Sequence, residues 1–298
     1  MTAPKKIDLQ SVLITGSSGF LGRNLSFRLS DSDQYKLILI NRENQYDLSS
    51  KGWTDKIPNA QVDIVVHLAQ SNRYREFPEG AEDIFQVNIA STFELLEWSR
   101  LHGVERFIFA STGNVYKDSN KKLSEESDCG PNTLYAASKF SAEKMIESYS
   151  DFFEVINTRI FGLYGPRQKN NLISNIIKSV EEGNEIILDG EKGLSLSPLF
   201  IEDAVYVFTK LLNMPLQNKK LTINIAGDEV LSLFDIASSI SEFTQKKPVF
   251  TNTTNTPKLF CGDNKKLKKL TGLNNLMSFN EGIKQTLMEK TTNEYPPS

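Results

Sequence analysis

Short apolar runs at 11–15, 36–41, 63–69, 106–112, 154–160 and 221–226 constrain the fold of this chain more than any other feature. Each is rich in Ile, Val, Leu or Phe and is too short for a helix. Their near-continuous apolar character suits a strand covered on both faces, as in a parallel sheet. Longer amphipathic segments separate them. In 81–101, Ile84, Val87, Leu95, Trp98 and Leu101 can share one helical face, and 133–149 is a second helix entered through Pro131-Asn132. Strand and helix in repetition imply an α/β protein with a doubly wound parallel sheet. Beyond residue 161 the rhythm loosens. Helices are expected at 171–182, 202–213, 232–243 and 279–289, a strand at 185–188, a Thr/Asn-rich loop at 251–257 and a frayed tail at 291–298. The polar stretch 117–130 reads as a mobile loop and a candidate lid. The expected organisation is a sheet domain over 1–161 and a smaller mixed α/β lobe over 162–298, with the strand at 221–226 returning to the sheet.

Composition excludes several classes. Of 298 residues, 34 Lys and Arg stand against 37 Asp and Glu, so no overall basic field recommends nucleic acid or a membrane surface as partner. Cys129 and Cys261 are too few for a disulfide framework, and His67 and His102 too few for a His-rich metal site, so no metal is expected. Lys5-Lys6 is followed only by a short apolar run, and no stretch approaches the length of a spanning helix. A cytoplasmic protein is the expectation.

Three motifs carry chemistry. Thr15-Gly16-Ser17-Ser18-Gly19-Phe20-Leu21-Gly22 sets three glycines between the first strand and the first helix. Such glycines permit a tight turn and bring backbone N–H groups to a pyrophosphate, although turn glycines need no ligand. Tyr135-Ala136-Ala137-Ser138-Lys139 places a phenol and an ammonium one helical turn apart, where the cation can favour the phenolate. The same spacing is commonplace on solvated helices. Phe109-Ala110-Ser111-Thr112 ends a strand in small hydroxyls, at the edge where doubly wound sheets bind ligands. Thr112 can meet an oxygen shared with Tyr135, or simply serve as a turn hydroxyl.

In this order the motifs resemble the extended short-chain dehydrogenase/reductases, in particular their epimerase/dehydratase branch, whose members mostly modify nucleotide-linked sugars on a Rossmann-type sheet. Further similar segments are Tyr46-Asp47-Leu48, Val66-His67-Leu68-Ala69-Gln70, Val87-Asn88, 159–166, Phe200-Ile201-Glu202-Asp203 and 223–227. The resemblance implies that Thr112, Tyr135 and Lys139 are catalytic. Tyr135 would exchange a proton with the substrate, Lys139 would bind the nicotinamide ribose and hold down the Tyr135 pKa, and Thr112 would orient the reacting oxygen. It further implies a cofactor site of Gly16, Ser18, Gly19, Phe20, Leu21, Gly22, Asp47, Leu48, Leu68, Ala69, Asn88, Tyr135, Lys139 and Phe161. A homodimer through 81–101 and 133–149 is also implied.

Departures from the branch narrow the chemistry. Its dehydratases place Asp-Glu after the catalytic Thr, where this chain has Gly113 and Asn114. No Cys or His stands where C3/C5 epimerisation would need a base. Hydride chemistry at one carbon remains. Leu196-Ser197 replaces an Arg-Asp pair whose Arg grips the diphosphate, leaving Arg167, Lys169, Lys178 or Lys192 as substitutes. The second strand ends in Asn41-Arg42 rather than in an acid, which admits or attracts a 2′-phosphate. The expectation is therefore an NADP-dependent keto-sugar reductase. The alternatives are a nucleotide-sugar 4-epimerase with retained NAD and a dinucleotide-sensing binding protein.

Overall fold

A computed structural model describes residues 9–291. The tail expected from 291 onward therefore lies almost wholly outside the described residues, as do Lys5 and Lys6. The first strands and helices follow the apolar pattern closely. They are β1 (Gln10–Thr15), α1 (Phe20–Ser30), β2 (Tyr35–Ile40), β3 (Ile64–His67), α2 (Ala81–Phe85), α3 (Ser91–Leu101), β4 (Arg106–Thr112), α4 (Leu134–Ser148) and β5 (Glu154–Ile160). A six-stranded sheet runs in the order Lys220–Ile225, β5, β4, β3, β1, β2. β1 pairs in parallel with both β2 and β3, and β3 with β4. This is the doubly wound α/β architecture, with smaller sheets formed later in the chain.

The chain divides into two compact units. The first holds the residues up to Val115 with Pro131–Arg159 and Val205–Ile223, and the second holds Tyr116–Gly130, Ile160–Ala204 and the residues from Asn224 on. The core of the first unit forms where alternate strand residues meet the helices: Leu13, Val65, Phe107 and Val155 pack with Leu95, Leu96, Trp98, Ala142 and Ile146. In the second unit, Leu172–Glu182 starts at an Asn171–Ser174 capping box and buries Ile173, Ile176, Ile177 and Val180. That spacing of 3, 4 and 7 is the apolar stripe of a surface helix.

Three sequence expectations are corrected. The single helix at 81–101 is interrupted by a π turn, Gln86–Ala90, which buries Val87 and Asn88. The expected loop at 251–257 begins inside a strand, Val249–Thr253, parallel to Glu185–Asp189. Its hydroxyls are spent on that neighbour: Thr253 donates to Asp189 Oδ1 at 2.7 Å, and Thr251 donates to Glu185. The stretch 117–130 is fastened rather than free. Its apolar Leu123 is buried, the Leu123 N–H donates to the Cys261 carbonyl at 2.8 Å, and the Leu123 carbonyl accepts from the Asp263 N–H at 2.7 Å.

Candidate active site

The glycine turn is built as a cradle. Gly16 has φ +68, and a Cβ there would lie 2.8 Å from the Ala69 nitrogen. A Cβ on Gly22 would lie 2.2 Å from the Gly16 carbonyl oxygen, so the helix can approach the turn only without a side chain. Gly19 is the N-cap of α1, and no side chain caps that end. The first-turn N–H groups of Phe20, Leu21 and Gly22 therefore face outward at the positive end of a helix, a natural anion site. Ser18 is half-buried beside them, and Leu68 and Ala69 line the adjoining end of β3. These residues fit a dinucleotide pyrophosphate.

Behind the turn stands His67, fully buried among Phe107 and Phe109. Its Nδ1 is 2.6 Å from Thr15 Oγ1 and its Nε2 is 2.9 Å from Thr92 Oγ1. Thr92 gives its own proton to the Asn88 carbonyl, so its oxygen must accept from Nε2–H. His67 is thus the neutral Nε2–H tautomer, and Nδ1 accepts from Thr15. Burial, and then the charge of Lys139, push its pKa down to about 3. Asn88, expected at the cofactor, is held by the fold itself. It accepts from the Ser71 N–H at 2.8 Å and donates to Ser138 Oγ at 2.9 Å, tying the π turn to α4.

At the end of β2, Asn41 braces the loop. Its Nδ2 donates to Ser17 Oγ and its Oδ1 accepts from the Asn44 N–H, both at 2.8 Å. Arg42 is exposed, and its charge acts on Asp47. The Asp47 carboxyl sits below its ordinary range, mainly through hydrogen bonds from the Ser49 hydroxyl and N–H. Leu48 packs against the core.

Thr112, Tyr135 and Lys139 converge in the first unit. Thr133 caps α4 by accepting from the Ala136 N–H, which presents Tyr135 in the first turn. The Tyr135 hydroxyl donates to Gln70 Oε1 at 3.0 Å. Asn114 donates to Thr112 Oγ1 through its N–H and its Nδ2, each at 3.2 Å. Burial raises the Tyr135 pKa well above its usual value, while the nearby Thr112 hydroxyl and the charge of Arg75 lower it. Lys139 is almost fully buried, and Nζ donates to the Ala110 carbonyl at 2.8 Å, above the Phe109 ring. Burial lowers its pKa to about 7, with Glu143 acting in the opposite direction. Lys139 was expected to bind the nicotinamide ribose and hold down the phenol pKa; one of its three N–H groups is given to the Ala110 carbonyl.

Sequence reasoning gave no role to Gln70 and did not single out Tyr74 or Arg75. The Tyr74 ring lies 4.8 Å from the Tyr135 ring, and the Arg75 guanidinium sits 4.9 Å above Tyr74. The signal was an Arg-Tyr-Arg cluster just past the carboxyl end of β3. Phe161 lies in the second unit, its ring buried between Tyr116 and Phe260. There too, Leu196 is buried in a small sheet and Ser197 accepts from the Gly262 N–H at 3.1 Å. Arg167 lies 3.8 Å from Glu289 and Lys178 lies 4.0 Å from Glu182, while Lys169 and Lys192 are exposed. Among the described residues no group of His, Cys, Asp or Glu could hold a metal ion, and no helix is long and apolar enough to cross a membrane.

The model of the NAD dependent epimerase/dehydratase family matches residues 12–226, spanning the glycine turn, β4, the Tyr135–Lys139 pair and the returning strand. The chain belongs to this family. It is therefore an enzyme of the NAD(P)-dependent short-chain dehydrogenase/reductase type. It is similar to an uncharacterized UDP-glucose epimerase, YtcB, of Bacillus subtilis, with 26% identity over 79% of this chain and 83% of that protein. Among solved structures, MoeE5 in complex with UDP-glucuronic acid and NAD superposes with a TM-score of 0.82 at 22% identity, covering 95% of this chain and all of MoeE5. The UDP-glucuronic acid 4-epimerase of Bacillus cereus, with UDP-glucuronic acid and NAD, gives 0.80 at 22% identity over 93% of this chain and 98% of its own. At these identities the likeness of the structures is one of fold.

Proposed function

We propose that this family member is an NAD-dependent nucleotide-sugar 4-epimerase. One observation carries the reading: of Asn114, Thr112, Tyr135 and Gln70, gathered at the end of β4 and the start of α4, Tyr135 alone can exchange a proton. Gly113 and Asn114 stand where a dehydratase needs acids. Such a site exchanges a proton and a hydride at one carbon and does no elimination. The relatives that carry NAD and a nucleotide sugar favour the epimerase over the keto-sugar reductase that Asn41 and Arg42 suggested. Two features of the β2 end agree with them. The Asn41 amide is occupied with Ser17 and Asn44, and the charge of Arg42 acts on Asp47, so an arriving 2′-phosphate would also meet a carboxylate.

The glycine turn, from Gly16 through Ser18, Gly19, Phe20, Leu21 and Gly22, would hold the pyrophosphate. Asp47 and Leu48 would serve the adenosine end, and Leu68, Ala69 and Lys139 the nicotinamide end. When bound, NAD supplies the acceptor for the C4 hydride and returns it. Tyr135 would act as the phenolate, which the positive charge of a bound oxidised nicotinamide would favour against the burial that raises its pKa, taking the C4 hydroxyl proton and giving it back after the sugar has turned its other face. Thr112, aligned by Asn114, holds the reacting oxygen against the phenol.

The test is to purify the protein and assay UDP-glucose and UDP-glucuronic acid without added cofactor. Retained NAD and conversion to the C4 epimer are expected. Turnover only of a 4-keto-sugar, with stoichiometric NADPH consumed and Arg42→Ala abolishing that preference, would establish the reductase instead.

A further inference from the structure

The segment between β3 and α2 meets the Tyr135 phenol twice. Gln70 accepts from the Tyr135 hydroxyl at 3.0 Å, and the Tyr74 ring packs on the Tyr135 ring with centroids 4.8 Å apart. The Arg75 guanidinium sits over Tyr74, 4.9 Å from its centroid, and so stands one aromatic ring away from the phenol. The segment is built to keep this shape. The Ser71 N–H donates to Asn88 Oδ1 at 2.8 Å, and the Ser71 hydroxyl donates to Asp83. Ser71 Oγ accepts from the Arg73 N–H at 3.0 Å, and the Arg73 carbonyl accepts from the Glu76 N–H at 2.9 Å. Gly80 closes the segment where a Cβ would run into the Arg73 carbonyl. The nearby acids serve Arg73: its Nε donates to Glu76 Oε2 at 2.7 Å, and the charges of Asp83 and Glu79 act on it too. The charge of Arg75 acts on Tyr135 instead.

We propose that Tyr74 and Arg75 select a nucleotide sugar with a carboxylate on C5, a hexuronic acid, over one with a neutral hydroxymethyl group there. The proposal rests on the epimerase reading, which sets the C4 oxygen at the Tyr135 hydroxyl. In a hexopyranose C5 adjoins C4, whereas the diphosphate leaves from C1 across the ring. A cation one ring from the phenol is therefore placed for a neighbour of C4 rather than for the diphosphate. Of the two neighbours, C3 carries a hydroxyl in either sugar, and only the C5 group differs in charge. A guanidinium meets a planar carboxylate through two parallel N–H groups, a contact that a hydroxymethyl group cannot repeat. The Tyr74 face steadies that fork, so less side-chain freedom is lost when the sugar binds.

The measurement is calorimetric binding of UDP-glucuronic acid, UDP-glucose and UDP to the NAD-loaded protein, with kcat/KM for the two sugars beside it. The wild type is expected to bind UDP-glucuronic acid at least about tenfold tighter than UDP-glucose, the size of one charge-assisted contact. Arg75→Met should bring the two affinities to within about twofold, since only that contact is removed. Arg75 is exposed, so its replacement leaves the core untouched. Arg75→Lys keeps the charge without the fork and should retain only part of the selection. Tyr74→Phe keeps the ring beneath the guanidinium and should keep the selection, whereas Tyr74→Leu should weaken it. A wild type that prefers UDP-glucose, shows no preference or binds neither sugar overturns the proposal, as does a preference that survives in Arg75→Met. Equal losses for both sugars and for UDP in Arg75→Met would place the guanidinium at the diphosphate and overturn it as well. The two readings fail separately. Selection that Arg75→Met removes, in a protein that epimerises neither sugar, would uphold the role of Arg75 and refute the epimerase reading. Epimerisation of UDP-glucose without selection would do the reverse.

Discussion

Acidification should destabilise this protein through His67, by an amount that the hydrogen bonding lets one work out. The folded state holds the neutral Nε2–H tautomer between Thr15 and Thr92, and protonation at Nδ1 would set a donor against the Thr15 hydroxyl. In the unfolded chain the imidazole titrates near 6.5, and in the folded protein near 3. The folded pKa is the lower one, so between these values the unfolded state binds more protons. Stability is then complete above about 6.5 and is lost as pH falls through that window. One proton per molecule corresponds to about 1.4 kcal/mol per pH unit, or about 2 kcal/mol between pH 6.5 and 5. The size at pH 5 does not depend on how far below 5 the folded value lies. Urea denaturation of wild type and of His67→Gln, at pH 7.5 and at pH 5, isolates this contribution. The variant has its own cost at neutral pH, but it should lose about 2 kcal/mol less than wild type on acidification. Equal losses in the two proteins would mean that His67 accepts a proton while folded, and the tautomer argument would fail.

Tyr135→Phe should retain NAD, judged by fluorescence or extraction of the bound nucleotide, and lose at least about a hundredfold in kcat, since only the proton-exchanging oxygen is removed. Gly22→Ala should prevent NAD binding or folding, because its methyl group would lie 2.2 Å from the Gly16 carbonyl oxygen; nucleotide content and circular dichroism read both outcomes. The expected homodimer has a surface to test, since Phe85 and Phe93 are 56% and 52% exposed on the π-interrupted helix. Phe85→Glu with Phe93→Glu should turn a sedimenting dimer into a monomer, and a wild type already monomeric at micromolar concentration would refute that interface.

Much of this protein was legible in the chain alone, wherever the determinant was local. Strand and helix follow from the period of the apolar residues, and the glycine turn from a backbone that only glycine can follow. Tyr135, Lys139 and Thr112 became candidates through the order of their motifs and the family it resembles, since each motif alone is commonplace. What escaped reading depends on partners distant in sequence. The tautomer of His67 is decided by Thr15 and Thr92, which lie 52 and 25 residues away. That the Asn88 amide is fixed by Ser138, 50 residues on, was equally out of reach. The strand at Val249–Thr253 exists because Glu185–Asp189 offers an edge to which Thr and Asn side chains can bond. Glu143 reads as one more polar residue on a helix until Arg159 and Ser111 close on it. A periodic pattern specifies which face is buried, but hydrogen bonds and charge pairs are satisfied by whatever the fold brings within about 3 Å, and only the tertiary structure decides that.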